Sequence, residues 1–256
     1  PFHAARRHVS PGRQNINEKE LHMRTGIATG SAAICVLLGV VGASLSIGGP
    51  LDPPAGPITS TYKTLTEIEP RVAICSANTP EDAQAVFKIA QPGSYYLTCD
   101  VKGAAGKNGL EIACDNVTLD LNGYQLVGGP DSLKGICVSA TGSRTICIKN
   151  GTVRDWGQEG VCTINVSGSL LMEVRAWRNG SIGIDAGPSA IIKNCTAQQN
   201  LMGILVGNNG MLFESTVQEN NGIGFMVGNG AIMSGCTSGQ NTAEGVVAGT
   251  GSTITG

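Results

Sequence analysis

Two copies of one short motif bring together arginine, aspartate and tryptophan, side chains that could do chemistry. Val153-Arg-Asp-Trp156 and Val174-Arg-Ala-Trp177 contain both tryptophans of the sequence, and the spacing from Arg154 to Arg175 equals that from Trp156 to Trp177. Arg178 and Lys193 follow closely. Flat aromatic faces stack on sugar C–H groups, and guanidinium groups pair with carboxylates or sulfates. Arg154, Trp156, Arg175, Trp177, Arg178 and Lys193 are therefore candidates for contact with an acidic polysaccharide. A plainer reading stands beside this one: each indole packs a turn against the chain and an arginine stacks on its ring. Asp155, Arg175 and Asp185 are the candidates for catalysis, as carboxylates and a base, although no two carboxylates share a spacing that selects them as a pair.

The chain also holds thiols at telling positions. Cys75 and Cys99 flank two short apolar segments and are candidates for a disulfide. Cys137 and Cys162 fall at equivalent places in neighbouring repeats, as two isolated thiols or a bonded pair. Two cysteines alone make a poor metal site. The three histidines, His3, His8 and His22, all precede Met23. If translation starts at Met23, the protein has no histidine, which removes serine–histidine catalysis and histidine-bound zinc. No cofactor motif is evident, and neither a GxxxxGK[ST] nor a GxGxxG loop occurs. Across 109–256 seven Lys/Arg face eleven Asp/Glu, with no basic residue after Lys193, so a basic nucleic-acid surface is not expected.

What positions these residues is a repeat. A glycine-led apolar triplet recurs at Gly109, Gly135, Gly160, Gly183, Gly203, Gly224 and Gly245, at intervals of 26, 25, 23, 20, 21 and 21. Asn179, Asn200, Asn220 and Asn241 recur at the same pitch. A period in the twenties marks a solenoid, whose units bury apolar faces only against their neighbours. The 37 glycines exclude helical repeats. Short alternating segments such as Ile204-Leu-Val206 and Met211-Leu-Phe213, joined by Gly/Asn corners, describe coils of a parallel β-helix. Side chains alternate along a strand, so the middle residues of the triplets face outward: Glu111, Cys137, Cys162, Asp185, Leu205, Met226 and Val247. Leu205, Met226 and Val247 then form an apolar strip suited to protein contact. The asparagines should stack at one corner and bond along the axis.

These residues resemble the right-handed parallel β-helix, or pectate-lyase-like, superfamily across roughly 109–256. The expected fold is all-β, a right-handed solenoid of about six to seven coils with a small N-terminal cap over 63–108. The resemblance implies secreted proteins that bind, build or degrade surface glycans. Its lyases use carboxylate-bound calcium with a basic residue, and its hydrolases use neighbouring aspartates. The hydrolase segments Asn-Thr-Asp, Asp-Asp, Gly-His-Gly and Arg-Ile-Lys are absent here. A noncatalytic glycan-binding, adhesive or structural rod is therefore the first expectation. A polysaccharide lyase or glycoside hydrolase, with calcium as its only implied cofactor, is the alternative.

The N-terminal region reads as a set of processing segments. Residues 1–22 look like a translated leader, since Lys19-Glu20 can be encoded by a purine-rich ribosome-binding sequence ahead of Met23. Residues 23–43 have the charged start, the short apolar core at 32–41 and the Val41-Gly-Ala43 exit of a signal peptide, which predicts secretion or cell-surface display. Residues 44–62 form a Pro/Gly/Ser/Thr-rich linker. Within the cap, Asn78-Thr-Pro-Glu-Asp82 reads as a helix start, and 86–89 and 94–98 as strands. The chain stops partway through a repeat, which predicts a longer protein and an open last coil.

Overall fold

Short apolar segments alternate in and out along this chain, and each is bounded by a residue that turns the backbone sharply. The computed structural model describes residues 69–140 and 145–256. The leader, signal peptide, linker and first residues of the cap fall outside the described residues. Numbered along the chain, one sheet holds eight strands: β2 (Ala85–Ile89), β5 (Asn108–Ile112), β8 (Ile136–Val138), β10 (Val161–Thr163), β12 (Ile182–Ala186), β15 (Met202–Val206), β18 (Phe225–Val227) and β21 (Val246–Ala248). They stack in that order, all parallel and in register.

The second sheet wraps the other sides of each coil. Its main path runs β1 (Val72–Ala73), β3 (Gly93–Tyr96), β6 (Val117–Asp120), β9 (Ile146–Arg154), β11 (Leu170–Trp177), β13 (Ile191–Lys193), β16 (Met211–Phe213), β19 (Ile232–Ser234) and β22 (Thr253–Thr255). A branch adds β4 (Val101–Lys102) and β7 (Gln125–Val127) before β9, and β14 (Thr196–Gln198), β17 (Thr216–Gln218) and β20 (Thr237–Gly239) after β11. Every pairing is parallel and joins successive coils, which is a parallel β-solenoid.

The stack has about eight coils rather than six to seven. The extra coil comes from the region expected as a cap: β2 pairs with β5, and β3 with β6, in the same parallel register as every later coil. No helix starts at Asn78. Thr79 instead closes a turn by donating to the Cys75 carbonyl, and the Asp82 carboxylate accepts from the Gln84 and Ala85 amides at 2.8 and 2.9 Å. The capping chemistry expected of Asp82 is present, but it launches β2. The strand expected at 86–89 forms there, so the Asp82 turn leads directly into it and leaves no room for a helix.

Corners are made by single residues in the left-handed region. Glu173, Asn194 and Glu214 (φ 54, 53 and 49°) form one file, and Asp155, Arg178, Gln199, Glu219 and Gln240 (φ 59, 54, 56, 56 and 55°) form another. One αL residue bends the chain without a loop, at a cost of roughly 1–2 kcal/mol each. Stacking offsets this cost. Ile148, Leu171, Ile192, Leu212 and Met233 form one buried internal column, each no more than 3% exposed. Burying such a side chain stabilises by about 1.5–3 kcal/mol.

The expected asparagine ladder runs along one corner. Asn179 Nδ2 donates to Asn200 Oδ1 at 3.0 Å, Asn200 to Asn220 at 3.2 Å, and Asn220 to Asn241 at 2.9 Å. Gly160, Gly183 and Gly224, each opening a triplet, stand against this ladder. A Cβ on Gly160 would lie 2.7 Å from Asn179 Nδ2, and one on Gly183 2.7 Å from Asn200 Nδ2.

Candidate functional site

The coil from β9 to β11 decides the site. Its register pairs Thr152 with Arg175 and Arg154 with Trp177, so the coil is longer than the spacing between the two Val-Arg-x-Trp motifs. Two outward files result. One runs Gln125, Thr152, Arg175, Thr196, Thr216 and Thr237, and the other Val127, Arg154, Trp177, Gln198, Gln218 and Gly239. Rungs are about 4.8 Å apart and the files about 7 Å apart, so they form a ladder of hydroxyl, amide, guanidinium and indole groups. Two hollows lie on it. One of about 400 Å³ is lined by Thr152, Glu173, Arg175 and Thr196, and the other, about 280 Å³, by Thr152, Arg154, Arg175, Trp177 and Gln198.

The cations of this face differ in what holds them. Arg154 donates from Nε to Gln125 Oε1 at 2.7 Å and from Nη1 to Asp155, and Arg178 Nε lies 3.2 Å from the other oxygen of Asp155. Their guanidinium carbons stand 6.0 and 5.1 Å from the Trp177 ring centroid, and Trp177 Nε1 donates to Gln199 Oε1 at 2.9 Å. Glu219 accepts from Gln198 and Gln199, and these bonds hold its carboxyl below the usual range. Arg175 is exposed, and its side chain has no hydrogen bond or ion pair with any of the described residues. Lys193 lies across the Asn194 bend, between Met172 and Phe213 in its file and 3.7 Å from Glu214, outside both hollows.

Trp156 is not part of this face. It is 1% exposed, donates from Nε1 to the Leu126 carbonyl at 3.2 Å, and fills the corner that asparagines occupy in later coils. Its ring packs where Gly103 and Gly109 carry no side chain: a Cβ there would meet it at 2.9 and 2.6 Å. The reason is the bend at Asp155, which ends the strand alternation and turns the next side chain inward. The signal was present in the sequence, since Trp156 precedes Asn179 by the same interval that separates Gly160 from Gly183. The threonine and glutamine rungs were also missed, although Thr196, Thr216 and Thr237 follow the repeat period.

The catalytic candidates do not converge. Asp155 is held between two arginines on one sheet, whereas Asp185 lies in β12 on the other. Cys75 and Cys99 are both free thiols rather than a disulfide, because the chain leaves β1 at Cys75 to close its turn with Thr79. Among the described residues, no three His, Cys, Asp or Glu side chains gather around a common point, so the carboxylates present do not fit a calcium ion.

The file on the eight-stranded sheet is arranged as the triplets predict. Lys88, Glu111, Cys137, Cys162, Asp185, Leu205, Met226 and Val247 lie opposite one another in unbroken register. Its lower half is polar and largely buried. Lys88 sits 3.5 Å from Glu111, Ser139 Oγ donates to Glu111 at 2.6 Å, and Lys134 lies 3.4 Å from both Glu159 and Cys162 Sγ. Burial, and then the nearby Glu159 carboxylate, push the Asp185 carboxyl up to about 6. Its upper half is the apolar strip, where Leu205, Met226 and Val247 line a shallow hollow of about 360 Å³.

The comparison with known proteins agrees with this architecture. The family model for the right-handed β-helix region matches residues 99–255. No curated protein and no solved structure matches the chain. Parallel coils, one-residue corners, a stacked asparagine corner and a family match over most of the chain lead to one conclusion: this protein belongs to the right-handed β-helix family.

Proposed function

We propose that this protein is an exported, noncatalytic β-helix that binds an acidic polysaccharide along the face of β9, β11, β14 and β17. The observation that carries the reading is Arg175. It is an exposed guanidinium without a partner among the described residues, placed where the two hollows meet. Such a group pairs well with a carboxylate or sulfate. Trp177, held through its ring N–H by Gln199 and flanked by Arg154 and Arg178, offers a fixed apolar platform one file away. Thr196, Gln198, Thr216 and Gln218 supply hydrogen-bonding rungs for further sugar hydroxyls. Export rests on the signal-peptide pattern of Met23–Ala43.

Binding is favoured over turnover because Glu173 is the one carboxylate that lines these two hollows, and Asp155, which could pair with it, is already neutralised by Arg154 and Arg178. Affinity electrophoresis through gels containing polygalacturonate or alginate tests the reading. Retardation that disappears in Arg175→Ala supports it, and equal mobility of the two proteins overturns it. A release assay on the same polymers, with and without calcium, separates binding from cleavage, since steady release of unsaturated or reducing ends would make the protein an enzyme.

A further inference from the structure

The eight-stranded sheet carries a second arrangement that glycan binding does not use. Cys137 and Cys162 are direct partners on adjacent parallel strands, β8 and β10. Their side chains leave the same face in the same direction, so their Cβ atoms keep the strand spacing of about 4.8 Å. A disulfide wants Cβ atoms about 3.5–4.5 Å apart and sulfurs bonded at about 2 Å. In-register stacking misses both. The same spacing suits two sulfurs bridged by one ion, because two metal–thiolate bonds of about 2.3 Å span about 4.6 Å.

Three charged side chains surround the pair. Lys134 Nζ lies 3.4 Å from Cys162 Sγ. Glu111 stands one rung before Cys137 and Asp185 one rung after Cys162, 3% and 6% exposed. Each keeps one carboxylate oxygen, Glu111 Oε2 and Asp185 Oδ1, buried without a hydrogen-bond partner. Buried polar atoms are seldom left unpaired, so both ends of this file hold polar groups whose partner is not among the described residues.

We propose that Cys137 and Cys162 form a two-coordinate site for a soft univalent metal ion, with Cu(I) as the fitting case. Thiolates select such ions, and linear coordination asks for no third ligand, consistent with the lack of a three-ligand cluster among the described residues. The binding step balances without electron transfer. Cu(I) bonds both sulfurs, both S–H bonds break, and two protons leave to solvent, giving a dithiolate–Cu(I) unit of charge −1. The Lys134 ammonium beside Cys162 offsets that charge. Cys137 remains partly exposed and gives the ion its way in.

The test is an anaerobic titration of the full chain with Cu(I) supplied as a coloured chelate, following loss of the chelate's absorbance. The wild type is expected to withdraw one equivalent more than Cys137→Ser or Cys162→Ser, and the double variant no less than either single one. Lys134→Met should keep the equivalent and weaken it roughly 10–100-fold, the usual effect of removing a group that supports a metal ligand. Circular dichroism confirms that each variant keeps its strands. Unchanged stoichiometry in either single variant overturns the proposal, as does loss in only one of them. Failure of both thiols to alkylate after unfolding of the metal-free, unreduced protein also overturns it, because it shows a disulfide.

Discussion

Trp177 lies opposite Arg154, whereas Trp156, its counterpart in the repeated motif, is sealed inside the preceding coil. Two side chains of identical type and matching motif position therefore have opposite roles. Trp177→Ala should weaken acidic-polysaccharide binding roughly tenfold, the worth of an aromatic platform, while leaving the melting temperature nearly unchanged. Trp156→Ala should instead cost about 3–5 kcal/mol of stability through the cavity left against Gly103 and Gly109. Thermal unfolding and gel retardation, measured on both variants, check the assignment; it fails if the two effects are exchanged.

The asparagine corner should matter more than any other polar feature of the rod. Asn220 is fully buried; its Oδ1 accepts from the Asn200 backbone and side-chain amides, and its Nδ2 donates to the Ala197 carbonyl and Asn241. Asn220→Ala orphans several of these groups at once and should cost about 2–4 kcal/mol in urea unfolding. Asn220→Asp should be worse near neutral pH, because it removes the donors and buries a charge.

Glycine at the triplet start is set by space. In Gly183→Ala the new methyl would lie 2.7 Å from Asn200 Nδ2 and 2.9 Å from the Gly203 carbonyl. We expect a loss of about 1–3 kcal/mol, typical of overpacking. Gly239→Ala meets nothing within 4 Å and should change stability by no more than about 0.5 kcal/mol. Equal losses at the two positions would contradict the packing described here.

Asp185 should make stability depend on pH in the unusual direction for a carboxylate. Its folded pKa, about 6, lies above the ordinary 3.8. The protonated form is thus favoured by folding, a contribution complete below about pH 4 and lost as pH rises through 6. Asp185→Asn should therefore stabilise the protein by about 1–3 kcal/mol at pH 7.5, with the gain vanishing by pH 4. Paired denaturant titrations at the two values decide it, and a gain of equal size at both would refute the burial argument.

Much of this protein is written along the chain because a solenoid maps sequence period directly onto space. The glycine intervals, the asparagine corner and the whole file from Glu111 to Val247 follow from counting one repeat at a time and alternating faces. The sequence also carries strand identity where β-branched residues alternate, as at Ile146 and Ile148. Tertiary structure decided what a period alone leaves open. The coil after Arg154 runs longer than the motif spacing, so the paired Val-Arg-x-Trp motifs slip out of step and put Trp177 over Arg154. The left-handed bend at Asp155 turned Trp156 into the core, and parallel pairing with β5 and β6 made a full coil of the region expected as a cap. Coil length and corner geometry are settled by which backbone groups find partners in the neighbouring coil, and no local run of residues contains that choice.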